Sequence, residues 1–201
     1  MLGLATPPVD VYLAAFVGEA LFAFALFDDG AGPASAPKKR AWLAGALRGW
    51  LFGTAVNVAV LRFVPSTIVR FTDLPWGLGA LALLLLGMFQ GLGWLVCGWL
   101  TRQLMMRRVP SFLAFGVAAW ASTFVPGVFP WTVGGGLSPL RSFVQIAEVV
   151  GERGVSALVA IVCALFACAA RAFLARERRQ SLYYALVGAG VALVMTAGGA
   201  L

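Results

Sequence analysis

Long apolar runs, separated by short polar or Gly/Pro-rich segments, dominate the pattern of this chain. A helix that crosses the ~30 Å hydrocarbon core of a bilayer needs ~20 mostly apolar residues. Runs of this kind predict six helices, at roughly 10–27, 41–64, 76–100, 111–128, 155–174 and 182–201. The connecting segments are too short to hold a soluble domain. We therefore expect an all-α polytopic membrane protein of about six transmembrane helices, with residues 1–201 forming a single transmembrane domain.

The composition supports this class and excludes an ordinary soluble enzyme. Hydrophobic residues make up 61% of the chain and charged residues 11%, whereas soluble domains have ~45–50% and ~25%. The sequence contains no histidine, the commonest general base and metal ligand. Its three cysteines, Cys97, Cys163 and Cys168, lie in apolar runs without the spacing of a metal or disulfide framework. We expect no metal, no cofactor and no nucleic-acid partner.

The cations indicate the topology. A Gly/Pro/Ala/Ser-rich linker near 28–40 ends in three cations and is predicted to be flexible and cytoplasmic. This linker, the 101–110 and 171–181 loops and Arg48 together place eleven cations on one side, namely Lys38, Lys39, Arg40, Arg48, Arg102, Arg107, Arg108, Arg171, Arg176, Arg178 and Arg179. The other side has four, Arg62, Arg70, Arg141 and Arg153. By the positive-inside rule, the pattern predicts a multi-pass bacterial inner-membrane protein with both termini in the periplasm.

The predicted periplasmic loop from Pro126 to Gly154 is rich in Gly and Pro, which prevent a continuous helix. Residues 142–150 have the pattern of a short amphipathic helix at the membrane interface, and an ordinary long loop is the alternative. Within the loop, Pro130 and the flanking glycines are expected to hold Trp131 on a rigid turn. Trp131 then either contacts lipid or serves as an ordinary interfacial anchor. The candidate lipid- or substrate-contact residues are Phe129, Pro130, Trp131 and Trp120.

Small residues recur every four positions in two of the predicted helices. Gly45, Gly49 and Gly53 do so in the second helix, and Gly87 and Gly91 in the third. This spacing lets helix backbones approach closely in lipid. We expect contacts within one chain rather than a dimer interface.

Glu19 is the only carboxylate deep in a predicted span, where it needs a partner or a wet cavity. It lies eight residues, or ~12 Å, from Phe27 at the end of the first helix. Arg48 lies eight residues after Arg40, at a similar depth in the next helix. We therefore predict an intramembrane Glu19–Arg48 ion pair with a structural role.

Several segments, in order along the chain, resemble the membrane domain of the apolipoprotein N-acyltransferase family. They are GWLFG (49–53), VPSTIVRFTDLP (64–75), FPW (129–131), SPL (138–140) and GERGVSALVAIVCALFA (151–167). The resemblance implies a bacterial inner-membrane fold whose family moves an acyl chain from a phospholipid to the N-terminal cysteine of apolipoproteins. It also implies that the chemistry belongs to a nitrilase-like domain with a Glu-Lys-Cys triad, which follows the last helix and lies outside this chain. The family's first helix is likewise expected to lie outside it.

Three functions follow as alternatives. In the first, the chain anchors and lipid-loads a separately encoded nitrilase-like domain, with phospholipid and apolipoprotein as further partners. No catalytic residue is expected in the chain itself, because its cysteines have no activating base or cation. In the second, it is a non-enzymatic scaffold that binds a partner, which the uncharged stretch 120–128 favours. A small transporter, with Glu19, Arg48, Asn57 and Gln90 along its path, is the third.

Overall fold

The structure is a computed structural model that describes residues 13–27, 38–129, 131–137, 140 and 145–197. The described residues form helices and no strand. The helices are α1 (Leu13–Phe27), α2 (Lys38–Val60), α3 (Val64–Phe71), α4 (Trp76–Gln90), α5 (Leu92–Met106), α6 (Ser111–Ser122), α7 (Val133–Gly136), α8 (Ala147–Leu174) and α9 (Arg178–Ala197).

Four helical stretches are long and apolar enough to cross a membrane, and they are Ala41–Val60, Trp76–Met106, Ala147–Leu174 and Arg178–Ala197. Two shorter apolar helices, Ala14–Phe27 and Ser111–Ser122, accompany them. These six stretches correspond in order to the six apolar runs of the sequence. The predicted class, an all-α polytopic membrane protein, is confirmed.

Several helix bounds differ from the predicted ones. The third apolar run is divided into α4 and α5 at Gly91, whose backbone remains in the helical region. α6 ends at Ser122, six residues before the predicted end, and a turn follows it. α2 begins at Lys38, inside the predicted linker, and the rest of that linker lies outside the described residues.

A short helix between the second and third runs was not predicted. α3 has Pro65 in its first turn, a position that proline favours because its missing N–H has no helical partner there. Val64, Ile68 and Phe71 recur at spacings of four and three residues, which is the helical pattern. This signal was present in the sequence but was too short to separate from the preceding apolar run.

The helices pack in the order α4, α2, α5, α6, α8 and α9, with α1 against α8, α3 against α4 and α7 against α8. The contact between α2 and α5 is close because both helices present glycines. A Cβ on Gly49 would overlap the Trp94 carbonyl, and one on Gly98 would overlap the Gly45 carbonyl. The expectation that the α2 glycines serve packing within the chain is confirmed.

An aromatic cluster fills the centre of the bundle. Phe22 of α1 stacks on Phe52 of α2 with ring centroids 4.2 Å apart. Trp94 of α5 meets both rings edge-on, at 5.5 Å from Phe22 and 5.0 Å from Phe52. Phe115 of α6 contacts Phe22 at 5.8 Å. Four helices are joined here by ring contacts, which fix their spacing.

Three arginines converge on the carboxyl end of α1. Arg48 of α2 donates to the Ala25 carbonyl at 2.7 Å, and Arg102 of α5 donates to the Leu26 carbonyl at 3.0 Å. Arg171 of α8 reaches the Phe24 carbonyl at 3.5 Å. The last carbonyls of a helix have no partner within the helix and carry its partial negative charge, so cations are favoured there.

α8 begins at Ala147 and bends at Gly151, whose φ of +70° is a conformation that glycine adopts without strain. Part of the predicted amphipathic helix 142–150 lies outside the described residues. Its last four residues form the first turn of α8, before this bend.

Candidate functional site

A cavity of about 470 Å³ opens at the end of the bundle opposite the three arginines. Its volume is within the range of sites for small ligands. Its walls are formed by residues of α1, α2 and α4–α8 and by the segment after α6. The lining residues are Glu19, Asn57, Gln90, Gly93, Trp94, Ala119, Ser122–Gly127, Phe129, Trp131–Val133, Glu152, Arg153 and Ser156.

Gln90, the last residue of α4, holds the loop that follows α6. Its Oε1 accepts hydrogen bonds from the backbone N–H of Val128 at 2.6 Å and of Phe129 at 3.4 Å. Its Nε2 donates to the Phe129 carbonyl at 3.0 Å. A single amide group therefore satisfies three backbone groups of a segment with no regular secondary structure.

Trp131 turns inward from this loop. Its indole Nε1 donates to Oδ1 of Asn57 at 3.4 Å, and its ring packs beside Ala15 and Val56. Asn57 is 2% exposed and is itself held in place because its Nδ2 donates to the Gly53 carbonyl at 2.8 Å. Trp131 is thus a half-buried part of the cavity wall that links the loop to α1 and α2.

The single turn of α7 is tied to the start of α8. The Thr132 hydroxyl caps α7 by accepting from the Gly135 N–H at 3.0 Å, and it hydrogen-bonds to the Glu152 carboxylate. The Gly134 N–H donates to the Ser156 hydroxyl at 2.9 Å. A Cβ on Gly134 would lie 2.8 Å from the Glu152 carbonyl, so glycine is required for this approach.

Aromatic rings border the cavity on the side of α6. The Arg153 guanidinium lies over the Phe124 ring, 4.2 Å from its centroid. Trp120 meets Phe124 edge-on at 5.0 Å and is 46% exposed. Trp120 therefore lies behind the cavity wall, on the outer surface of the bundle.

The predicted contact residues occupy different places. Phe129 and Trp131 both line the cavity, whereas Trp120 does not. Pro130 lies outside the described residues. The structure brings two of the four candidates together, and Gln90 is the side chain that fixes them there.

The predicted pairing of Glu19 with Arg48 is not found in the structure. Arg48 instead donates to Ala25, six residues further along α1, and Glu19 accepts from the Cys163 thiol of α8. The prediction assumed that consecutive helices are neighbours. α1 packs mainly on α8, and Arg48 reaches the last turn of α1 rather than the depth of Glu19.

None of the three cysteines lines the larger cavity, although the Cys163 thiol donates to Glu19 in its wall. Cys97 and Cys163 are buried in the bundle. Cys168 lies 3.3 Å from the Ser111 hydroxyl, beside a second cavity of about 330 Å³ at the opposite end. Among the described residues, no three His, Cys, Asp or Glu side chains are placed to hold a metal ion. The larger cavity offers binding groups rather than a nucleophile.

Most of the residues that build the site are not indicated by the sequence. Gln90 was considered only as part of a transport path, and the roles of Thr132, Glu152 and Ser156 were not predicted. A polar residue in the last turn of an apolar helix was the available signal for Gln90. Its partners lie 38 and 39 residues away, which spacing alone does not indicate.

Comparison with known proteins identifies the same family that the sequence motifs resemble. The family model for the apolipoprotein N-acyltransferase N-terminal domain matches residues 1–165. The apolipoprotein N-acyltransferase of Allorhizobium ampelinum is 33% identical over 194 residues, covering 92% of this chain and 35% of the relative. Those of Rhizobium rhizogenes and Brucella suis are 34% and 30% identical, each covering 80% of this chain and 31% of the relative. The chain thus spans about a third of the length of these relatives. It belongs to the apolipoprotein N-acyltransferase family, in which it corresponds to the N-terminal domain.

Proposed function

We propose that this chain is the membrane part of a lipoprotein N-acyltransferase system. It anchors a nitrilase-like catalytic domain supplied by a separate subunit and presents a phospholipid to it at the larger cavity. The catalytic domain then transfers the acyl chain to an apolipoprotein. The observation that carries this proposal is the cavity beneath a fixed loop that bears Phe129 and Trp131.

The surroundings of the cavity suit a phospholipid, which has an apolar and a polar part. Phe124, Val128 and Phe129 are 52%, 59% and 39% exposed. These side chains form an apolar surface beside a cavity whose lining includes amide, hydroxyl and carboxyl groups. Acyl chains are favoured on the first surface and a head group in the second.

The location of the cysteines supports a catalytic group outside residues 1–201. Thioester chemistry needs a thiol close to an activating base or cation, at the place where the ester is presented. None of the three cysteines lines the larger cavity. Lys38 and Lys39 belong to the first turn of α2, which is the end of the bundle away from this cavity.

We also propose the bacterial inner membrane as the location, with the larger cavity on the periplasmic side. The support is the charge distribution, with eleven cations in the segments assigned to the cytoplasm and four elsewhere. In the structure, Arg48, Arg102 and Arg171 of the first group meet at one end of the bundle, around the last turn of α1.

Reconstitution in phospholipid tests the proposal. Acyl transfer to a lipoprotein peptide is measured with the purified chain, with a candidate nitrilase-like subunit and with both together. We expect transfer only when both are present. Transfer by the chain alone that disappears in a Cys97→Ser, Cys163→Ser, Cys168→Ser triple variant would contradict the proposal.

The alternative is a non-enzymatic scaffold, and one observation favours it. The stretch Ser122–Gly127 forms part of the cavity wall and carries no acidic or basic side chain. A scaffold would bind its partner in the same assay without any transfer. That result would replace the first function with the second.

A further inference from the structure

Glu19 lies in the wall of the larger cavity, and its carboxyl group forms no ion pair with the described residues. The side chain is 1% exposed, and its Oε2 has no hydrogen-bond partner within the described part of the chain. An unpaired carboxyl group is costly at this depth, so polar residues of spanning helices normally face a partner, a ligand or water.

Two arginines, Arg48 and Arg153, form contacts with groups other than Glu19. Arg48 donates to Ala25, and Arg153 lies over the Phe124 ring. Among the described residues that line the cavity, Glu19 and Glu152 are acidic and Arg153 is basic. A positively charged guest beside Glu19 would stabilise the ionised form of its carboxyl group.

The other lining groups favour an organic ammonium over an inorganic ion. Asn57 Oδ1 accepts a single long hydrogen bond, from Trp131 at 3.4 Å, and retains a further lone pair. Trp94, Trp131 and Phe129 are aromatic residues that also line the cavity. Oxygen acceptors with aromatic faces are the combination that binds alkylammonium groups, whereas inorganic cations require more oxygen ligands.

We infer that the Glu19 end of the larger cavity is a binding site for a primary ammonium group. The ammonium donates to Glu19 Oε2 and Asn57 Oδ1 and contacts the indole rings. The inference rests on the proposed function, since the amine is one that a substrate of this cavity carries. Both a phospholipid head group and the amino terminus of a peptide supply this chemistry.

The first experiment uses the full chain in nanodiscs of phosphatidylglycerol, which contains no amine. Octylammonium binding is measured by calorimetry, with octyltrimethylammonium as the probe that cannot donate a hydrogen bond. We expect saturable binding of the primary amine only. Glu19→Gln should weaken it at least about ten-fold, whereas the control Glu148→Gln, at an exposed carboxylate of α8, should leave it unchanged.

A second measurement needs no variant. Dicyclohexylcarbodiimide modifies carboxyl groups in apolar surroundings, and mass spectrometry locates the product. Octylammonium should protect Glu19 from modification in the wild-type chain. Absence of both binding and protection would show that the cavity holds only water beside a neutral carboxyl, and would overturn the inference.

Competition identifies the source of the amine. Phosphatidylethanolamine in the nanodisc and a short peptide with a free amino terminus are compared, with an N-acetylated peptide as control. Competition by either amine supports the site and names its source, and competition by neither overturns it. Because no catalytic subunit is present, amine binding can succeed even where reconstituted acyl transfer fails, so the two proposals fail separately.

Discussion

At the residue scale, one amide group organises the candidate site. Gln90 ends α4 and bonds the backbone at Val128 and Phe129 through both of its polar atoms. A Cβ on Gly127 would overlap Gln90 Oε1, so the loop approaches this side chain closely. Each such hydrogen bond contributes about 0.5–1.5 kcal/mol, and removal of the Gln90 amide takes this partner from three backbone groups.

Gln90→Leu should therefore loosen the loop while leaving the helices intact. We expect hydrogen exchange of the 124–129 segment to rise roughly ten-fold, equivalent to about 1.4 kcal/mol. Mass spectrometry of the protein in nanodiscs measures it. Gln180→Leu, at the other end of the bundle, is the matched control, and equal exchange in both variants would contradict the assigned role of Gln90.

A pair of substitutions can also show whether Trp131 acts differently from an ordinary interfacial tryptophan. Trp131→Ala removes a ring that lines the cavity and bonds to Asn57, whereas Trp42→Ala removes one near the start of α2. We expect the first substitution to weaken binding of a fluorescent phospholipid severalfold more than the second. Equal losses of phospholipid binding in the two variants would indicate that Trp131 is an ordinary interfacial anchor.

At the element scale, glycines decide how closely α2 and α5 approach. The two backbones meet at Gly49 and Trp94, and at Gly45 and Gly98, where no Cβ fits. Val58 and Thr54 of α2 similarly lie against Gly87 and Gly91, so α2 also packs closely on α4. In lipid, where burial of apolar surface gives little driving force between helices, this close packing is a main source of stability.

Gly49→Ala should destabilise the bundle by about 1–3 kcal/mol, because the added methyl group overlaps the Trp94 carbonyl. Gly77→Ala is the matched control, since nothing lies within 4 Å of a Cβ at that helical position. Thermal unfolding of the purified variants in detergent compares them. A lower midpoint in both variants would indicate a general effect of alanine rather than the close contact.

The helices themselves could be predicted from the apolar runs, because lipid selects for ~20-residue apolar segments wherever they occur. The partners of each helix could not. The apolar pattern places Glu19 inside a span without indicating which helix its face meets, and the true neighbour, α8, is distant in sequence. α3 was not predicted for a different reason. Its eight residues have a helical pattern, but they are too few to be recognised as a membrane span.

The site was predictable only in part for the same reason. The proline, glycine and aromatic residues after α6 indicated an unusual loop around Trp131. The hydrogen bonds that give the loop its shape come from Gln90 and Asn57, 39 and 74 residues away. Such contacts depend on the packing of α2 and α4 against the rest of the bundle.

At the scale of the whole molecule, the two ends of the bundle differ in chemistry. One end gathers arginines around α1 and contains the smaller cavity, which is lined in part by Arg171, Glu177 and Gln180. The other end contains the larger cavity and the aromatic loop. Because the two ends differ, labelling from one side of the membrane can test the proposed orientation.

Ser35→Cys and Ser138→Cys place thiols in the two predicted loops on opposite sides of the membrane. In intact spheroplasts, a membrane-impermeant maleimide should label position 138 and reach position 35 only after permeabilisation. Labelling at position 35 from outside, or none at position 138, would overturn the topology. The parent chain, whose cysteines are all buried, serves as the background control.

The three arginines at the end of α1 also have a consequence for biosynthesis. Their carbonyl partners lie 23, 76 and 147 residues earlier in the chain. A ribosome that has made only α1 and α2 has supplied one of these cations, and the third is added only when Arg171 emerges. Completion of the first helix is thereby coupled to synthesis of one of the last, so a nascent chain stalled before α8 leaves α1 without its full set of contacts.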